Sequence, residues 1–350
     1  MGNQRSSYIA PLDGFRGLSI ILVFIAHLGF ENIVPGGLGV TIFFFISGYI
    51  ITKLLIDEVS STTQLNLKAF YVRRLLRLYP PLLLMIIFFF LYLFTTKNVV
   101  DLHEIVACIF YYENYYFFTH PATSSNVCKI LWSLAVEEHF YIIFPFVFLF
   151  SFKKPKILLL ILLILAVIPV IFRCLGTLWY DYSAAVTERY CYTLSHTRFD
   201  SIIYGCISSV LLYSFRSSLY IKALSNKTLF IVAIITLIGC LVFRDTTFRN
   251  TVRYTLQGLS LFILIPAIIN TPLYPKIKSF FSGKLIVLVG KLSYSIYLMH
   301  MIAITVVSNF CGTEKFVVFY LAVIFLTAVL ALFSYFIVEK YTLKFRKRFI

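Results

Sequence analysis

Arg16 and His27 are two ionisable residues in an otherwise apolar segment, FRGLSIILVFIAH, which runs from Phe15 to His27. An α-helix turns about 100° and rises about 1.5 Å per residue, so this spacing puts both side chains on one helix face, about 16 Å apart. Ionisable groups in apolar spans are costly and usually face a cavity or a partner. Histidine is the side chain most often used as a general base. The pattern predicts a charged residue at one edge of an apolar layer and a catalytic histidine at mid-depth or slightly beyond.

Three arginines follow in the stretch FYVRRLLRLYPP, from Phe70 to Pro81. Arg73, Arg74 and Arg77 have a helical spacing that crowds one face, and the prolines after them predict a break before the next span. Guanidinium groups bind phosphate oxygens through paired hydrogen bonds, so this face is a candidate site for a polyphosphate. Attraction to anionic lipid at an inner membrane surface explains the same residues equally well.

Further candidates for catalysis lie in two apolar stretches, LWSLAVEEHFYIIFP and GKLSYSIYLMH. A carboxylate that is hydrogen-bonded to a histidine fixes the tautomer of the ring, so Glu137 or Glu138 in the first stretch is predicted to steady His27. Tyr297 and His300 in the second stretch are three residues apart and share a helix face. Either of them is a candidate to stabilise an oxyanion.

The stretch SHTRFDSIIYG places His196, Arg198 and Asp200 at the mouth of another apolar segment. We predict that these three residues bind the substrate, with Arg198 as a third candidate for stabilising the oxyanion. A structural ion pair between Arg198 and Asp200 is the alternative at this point.

The composition requires a membrane to position these groups. Of the 350 residues, 60% are hydrophobic and 13% are charged, whereas a typical soluble domain is about 25% charged. Apolar segments of this length predict an all-α, polytopic helix bundle, because helices satisfy their own backbone hydrogen bonds in lipid. We predict about ten transmembrane helices, near 12–30, 35–56, 79–96, 134–151, 155–172, 200–215, 228–243, 253–270, 286–308 and 316–338.

Lysine and arginine are concentrated in alternate loops between these spans. Positive residues favour the cytoplasmic side, so the pattern predicts that both termini are cytoplasmic and that the long loops near 97–133 and 173–199 lie outside. This bias accounts for most of the formal net charge of +16. The expected partner is therefore the lipid bilayer and not a nucleic acid. The chain has no tandem repeat and no linker, which predicts a single membrane domain over residues 1–350.

Six motifs occur in order along the chain: R-x10-H, G-G-x-G-V-x-x-F-F-x-x-S-G, R-R-x-x-R-x-x-P, W-S-L-x-x-E-E-x-F-Y, H-x-R-F-D and S-Y-S-x-Y-L-x-H. With them the sequence resembles the membrane-bound acyltransferase-3 family over nearly its whole length. The resemblance implies an enzyme that moves an acyl group, often acetyl, from cytoplasmic acyl-CoA to a sugar hydroxyl. It assigns Arg16 and His27 to acyl transfer, and Arg73, Arg74 and Arg77 to binding of CoA. Many members also carry an extracytoplasmic hydrolase-like domain, which we do not expect in this chain.

The expected function is therefore a membrane O-acetyltransferase that uses acetyl-CoA, or another acyl-CoA, as its donor. Its expected acceptor is a surface polysaccharide, such as a lipopolysaccharide O-antigen, or the lipid-linked precursor of one, and its expected location is the bacterial inner membrane. No metal is expected, because the cysteines and histidines do not have the spacing of metal ligands. The alternative is a proton-coupled transporter of a small metabolite or glycan precursor, since ionisable residues in spans also form proton relays.

Overall fold

The computed structural model describes residues 8–97, 99, 101–180, 184–311 and 316–346. All regular secondary structure in these ranges is helical. The helices are α1 Ala10–Ile25, α2 Gly36–Thr62, α3 Leu67–Thr96, α4 Leu102–Ile109, α5 Glu113–Thr119, α6 Asn126–Lys129, α7 Trp132–Ser151, α8 Pro155–Trp179, α9 Ala184–Thr193, α10 Ser195–Ser209, α11 Ser218–Leu224, α12 Lys227–Val242, α13 Thr246–Asn250, α14 Arg253–Asn270, α15 Pro275–Phe281, α16 Lys284–Cys311, α17 Phe316–Phe333 and α18 Lys340–Arg346.

The prediction of a helical membrane bundle is confirmed, but the number of spans is not. Among the described residues, seven helices are long and apolar enough to cross a membrane, or nine if two bent helix pairs each form one span. The predicted span at 200–215 corresponds to α10 and a π-helical continuation at Val210–Ser214, and it is not among these candidates. The reason is that α10 carries arginine, aspartate and several serines, and it buries them against other helices. Both termini lie outside the described residues, so their cytoplasmic location stays a prediction.

The prediction of a helix break at Pro80 and Pro81 is wrong. The helix α3 continues through both prolines from Leu67 to Thr96. In a membrane bundle, neighbouring helices and polar side chains can satisfy the backbone groups that proline frees, so proline within a span is tolerated. The three arginines before the prolines therefore belong to the same helix as the span itself.

His27 also lies nearer to a helix end than the sequence predicts. The helix α1 continues into a π-helical turn, Ala26–Phe30, in which Gly29 has a φ of 97°. Such a positive φ is easily adopted only by glycine and here ends the span. His27 is therefore within one turn of the end opposite to Arg16, and its side chain is exposed. By the predicted orientation, this end of α1 faces the outside.

Helices α2 and α10 pack closely against each other in the core. A Cβ atom on Gly48 would lie 1.9 Å from the carbonyl oxygen of Ile202, and one on Gly205 would lie 2.0 Å from that of Phe45. Small residues permit such close contact between membrane helices. Gly48, which belongs to the second of the six motifs, thus serves the packing of α2 on α10.

We expect Gly48→Ala to destabilise the protein by about 2 kcal/mol or more, because the added methyl overlaps a backbone atom that cannot rotate away. The measurement is the thermal unfolding midpoint of the detergent-purified protein. The matched control is Gly239→Ala in α12, where an added Cβ would have nothing within 4 Å. Equal midpoints for Gly48→Ala and the control would show that the two helices separate without cost.

Candidate functional site

A cavity of about 900 Å³, including the part that is open to solvent, lies between α1, α2, α3, α7 and α16. Six of the predicted site residues line it, namely Arg16, Arg74, Arg77, Glu137, Glu138 and Tyr297. Much of the remaining wall is apolar and is formed by aromatic and branched residues of α2, such as Phe43 and Ile50. Such a cavity, apolar with a few convergent polar groups, is typical of a binding site for a small molecule.

The helices α1 and α16 bring two sequence motifs together. They pack so closely that a Cβ atom on Gly290 would lie 1.7 Å from the carbonyl oxygen of Asp13. This contact aligns the helix of Arg16 and His27 with the helix of Tyr297 and His300. The first and last motifs of the chain therefore form one site.

The three arginines of α3 do not act as one group. Arg74 and Arg77 line the cavity, and the guanidinium carbon of Arg74 lies 3.2 Å from the ring centroid of Tyr141. Arg73 instead forms an ion pair with Glu58 of α2, with 2.9 Å between Nη2 and Oε2. Residues three apart share a helix face, whereas adjacent residues are turned about 100° from each other. The expectation that all three face one ligand is thus corrected for Arg73.

The two carboxylates of α7 lie beside the arginines and not beside His27. Glu137 accepts hydrogen bonds from Ser47, at 2.7 Å, and from Tyr141, at 3.3 Å. Glu138 lines the cavity and interacts electrostatically with Arg74 and Arg77. In the described part of the chain neither carboxylate is hydrogen-bonded to His27, so the expected steadying contact is not present.

His27 is paired with His300 instead. Nδ1 of His27 lies 2.8 Å from Nε2 of His300, and the two rings are stacked with centroids 5.1 Å apart. Nδ1 of His300 lies 2.7 Å from the carbonyl oxygen of Tyr297, which can only accept. Nδ1 of His300 must therefore carry the proton, and in the neutral pair Nε2 accepts from Nδ1–H of His27. This assignment from the hydrogen bonds leaves Nε2 of His27 with a free lone pair.

Tyr297 connects the cavity to the histidine pair. It lines the cavity, and its ring centroid is 5.7 Å from that of His300. Its hydroxyl donates to the carbonyl oxygen of Ile130 at 2.7 Å, and it lies 2.6 Å from Oγ of Ser133, which can donate to it. The phenolic proton of Tyr297 is thus donated to the backbone of Ile130 in this conformation.

The residues predicted to bind substrate lie in a neighbouring polar group that does not line the cavity. The expected alternative of an Arg198–Asp200 ion pair is wrong, because Asp200 accepts from Nη2 of Arg173 at 2.7 Å and from Thr255 at 2.8 Å. His196 is hydrogen-bonded to two tyrosines, Tyr115 at 3.2 Å and Tyr190 at 3.1 Å. Arg198 has no carboxylate partner among the described residues and is surrounded by aromatic rings.

The sequence did not identify several polar residues of this region. Ser133 and Ser293 line the cavity, and Arg173 is the buried partner of Asp200. Ser133 lies inside the motif W-S-L-x-x-E-E-x-F-Y, and Arg173 is a single cation at the end of an apolar span. Both residues could therefore have been recognised from the sequence. Nε of Arg74 and Oγ of Ser293 are buried without a hydrogen-bond partner in the described structure. Unsatisfied polar atoms on a cavity wall indicate a bound polar ligand or water.

Comparison with known proteins shows which family the chain resembles in sequence. A family model described as an acyltransferase domain, of the acyltransferase-3 type, matches residues 9–336. The O-acetyltransferase OatA of Staphylococcus aureus strain NCTC 8325 / PS 47 is 32% identical over 352 residues, which cover 95% of this chain and 57% of the relative. OatA of strain COL matches to the same extent. The chain thus spans little more than half the length of these relatives. No solved structure matches it significantly.

Proposed function

This chain belongs to the acyltransferase-3 family, and on that premise we propose that it is a membrane O-acetyltransferase of surface glycans. The donor is cytoplasmic acetyl-CoA, and the acceptor is a sugar hydroxyl of a polysaccharide or of its lipid-linked precursor. We place the protein in the bacterial inner membrane. The observation that carries the proposal is one cavity whose wall includes Arg16, Arg74 and Arg77 as well as Tyr297, the neighbour of the histidine pair.

The donor fits the polar residues of the cavity. Arg74 and Arg77 would bind CoA phosphates, because guanidinium groups match phosphate oxygens in charge and geometry. Arg16 lines the same cavity and lies 3.5 Å from Asp13, so it is held in place by a carboxylate. The unpartnered Oγ of Ser293 is suited to an amide of the pantetheine arm. The apolar wall formed by α2 would hold the rest of that arm.

His27 is proposed as the general base. Because Nδ1–H of His27 donates a hydrogen bond to His300, Nε2 of His27 is unprotonated and can take a proton from the acceptor hydroxyl. The hydroxyl oxygen attacks the thioester carbonyl carbon, the C–S bond breaks and the ester forms. The thiolate of CoA then leaves and receives the proton from His27, so that the histidine returns to its starting state.

The position of His27 suits two substrates that come from opposite sides. His27 lies at the exposed end of α1, while Arg16 lies about 16 Å away along the helix, near its other end. This distance is close to the length of an extended pantetheine arm, which is about 15–20 Å for a chain of that many bonds. An acceptor approaching from outside would meet the thioester at His27. His196, which is half-buried in the neighbouring polar group, is a candidate contact for the acceptor.

The test uses sealed membrane vesicles that contain the full chain and surface glycan, supplied with radiolabelled acetyl-CoA on one side only. We expect label in the glycan that mild alkali releases as acetate, and only when the cytoplasmic face meets the donor. Vesicles without the chain are the control, and succinyl-CoA tests other acyl groups. Absence of label with every donor, together with absence of acyl-CoA binding to the purified protein, would contradict the proposal and favour the transporter.

A further inference from the structure

Arg198 is a fully buried cation whose hydrogen-bonding capacity is mostly unused. Its side chain has no exposed surface, and its Nη2 donates a long hydrogen bond of 3.3 Å to Oγ1 of Thr41. Its Nε and Nη1 have no hydrogen-bond partner among the described residues. A guanidinium carries five N–H groups, one on Nε and two on each Nη. The three on Nε and Nη1 of Arg198 are therefore buried without an acceptor.

The surroundings of Arg198 stabilise a cation but do not neutralise it. Its guanidinium carbon lies 3.7 Å from the ring centroid of Tyr254, and between 5.3 and 5.9 Å from those of Tyr192, Phe44 and Trp132. Aromatic faces attract cations, but they carry no net charge and accept no strong hydrogen bond. The fold thus holds the guanidinium in place and leaves its polar atoms for another group.

The charges near Arg198 do not balance in the described part of the chain. Arg173 and Arg198 are both fully buried, and Asp200 is the carboxylate beside them. Asp200 is already bound to Arg173 at 2.7 Å and to Thr255 at 2.8 Å. An unpaired buried charge is strongly unfavourable unless a counter-charge binds it, so this place lacks a second negative charge.

We infer that Arg198 binds an anionic group, a carboxylate or a phosphate, of the acceptor glycan. The identity of the ligand as the acceptor rests on the proposed function, whereas the binding of an anion does not. Phe44, which contacts Arg198 on one side, also lines the cavity. An acceptor held at Arg198 is therefore separated from the donor cavity by a single aromatic side chain.

Tyr192 is the ring through which the acceptor would reach this place. Of the four rings around Arg198, Tyr192 is half-buried, whereas Phe44, Trp132 and Tyr254 are buried. Tyr192 lies near the end of α9 and packs on Trp132 with 4.6 Å between ring centroids. Displacement of Tyr192 from this contact would open Arg198 to the outer loops and leave Trp132 as a flat surface for a sugar ring.

The test measures the thermal unfolding midpoint of the purified full chain in detergent, without any acyl donor. The probes are glucuronate, glucose 1-phosphate and neutral glucose, with sodium chloride added to equalise ionic strength. We expect one or both anionic sugars to raise the midpoint by about 2 °C or more at saturation, and glucose to leave it unchanged. A response to glucuronate alone assigns a carboxylate, and a response to glucose 1-phosphate alone assigns a phosphate.

Two variants connect the effect to Arg198. Arg198→Met is expected to lose the shift, and Arg253→Met, which changes a nearby half-buried arginine, is expected to retain it. If Arg198→Met does not fold, Arg198→Lys is expected to keep a weaker shift. The inference is overturned if neither anion stabilises the wild type, or if Arg198→Met responds as the wild type does. Because no acyl donor is present, a failure of acetyl transfer in the vesicle assay leaves this result unaffected. Likewise, a failure of anion binding here leaves the transfer assay unaffected.

Discussion

Replacement of His27 by glutamine is expected to lower acetyl transfer by about 10²–10⁴-fold, the usual contribution of a general base. Glutamine keeps a polar side chain of similar length, but its amide cannot take a proton from the acceptor. The loss should therefore appear in the maximal rate at saturating acetyl-CoA. The measurement is the initial rate of label incorporation into glycan at matched amounts of membrane protein.

The matched control for this prediction is His120→Gln, which changes an exposed histidine that stacks on Tyr116. It should retain the wild-type rate. Unfolding midpoints of both variants would show that the loss is not caused by misfolding. A His27→Gln variant that transfers label at the wild-type rate would make the histidine pair structural and remove the proposed base.

Replacement of Arg74 by glutamine is expected to raise the apparent KM for acetyl-CoA by about tenfold or more, since a hydrogen bond to a charged group is worth about 1.5–3 kcal/mol. Arg74 faces the cavity, and its Nε has no protein partner in the described structure. The rate at saturating donor should change little, because the contact is made with the donor in both the bound and the transition state.

Arg73 offers an unusually close control, because it is the adjacent residue of the same helix and has the same charge. It is ion-paired with Glu58 at 2.9 Å, so Arg73→Gln should change the KM by much less than Arg74→Gln does. Equal increases for the two variants would indicate that both arginines act only through the total positive charge at the membrane surface. That result would favour lipid attraction over a phosphate-binding site.

Much of the architecture could be predicted from residue types alone. Long apolar segments in water-poor surroundings must be helical, because only helices satisfy the backbone within a single segment. The ionisable residues in these segments had to face a cavity or each other, and six of the predicted site residues do line one cavity. The cost of burying a charge depends first on the residue itself. An ionisable residue in an apolar segment can therefore be recognised as functional without knowledge of its neighbours.

The partner of each charged residue was decided by the tertiary structure. His27 and His300 are 273 residues apart, and their contact depends on how closely α1 and α16 cross at Gly290. Likewise, Asp200 is bound by Arg173 and not by Arg198, two residues away. Helical periodicity gives the direction of a side chain relative to its own helix, but the rotation and depth of one helix against another follow from the packing of all their faces. For that reason the chain alone indicated which residues are functional, and the fold determined which of them touch.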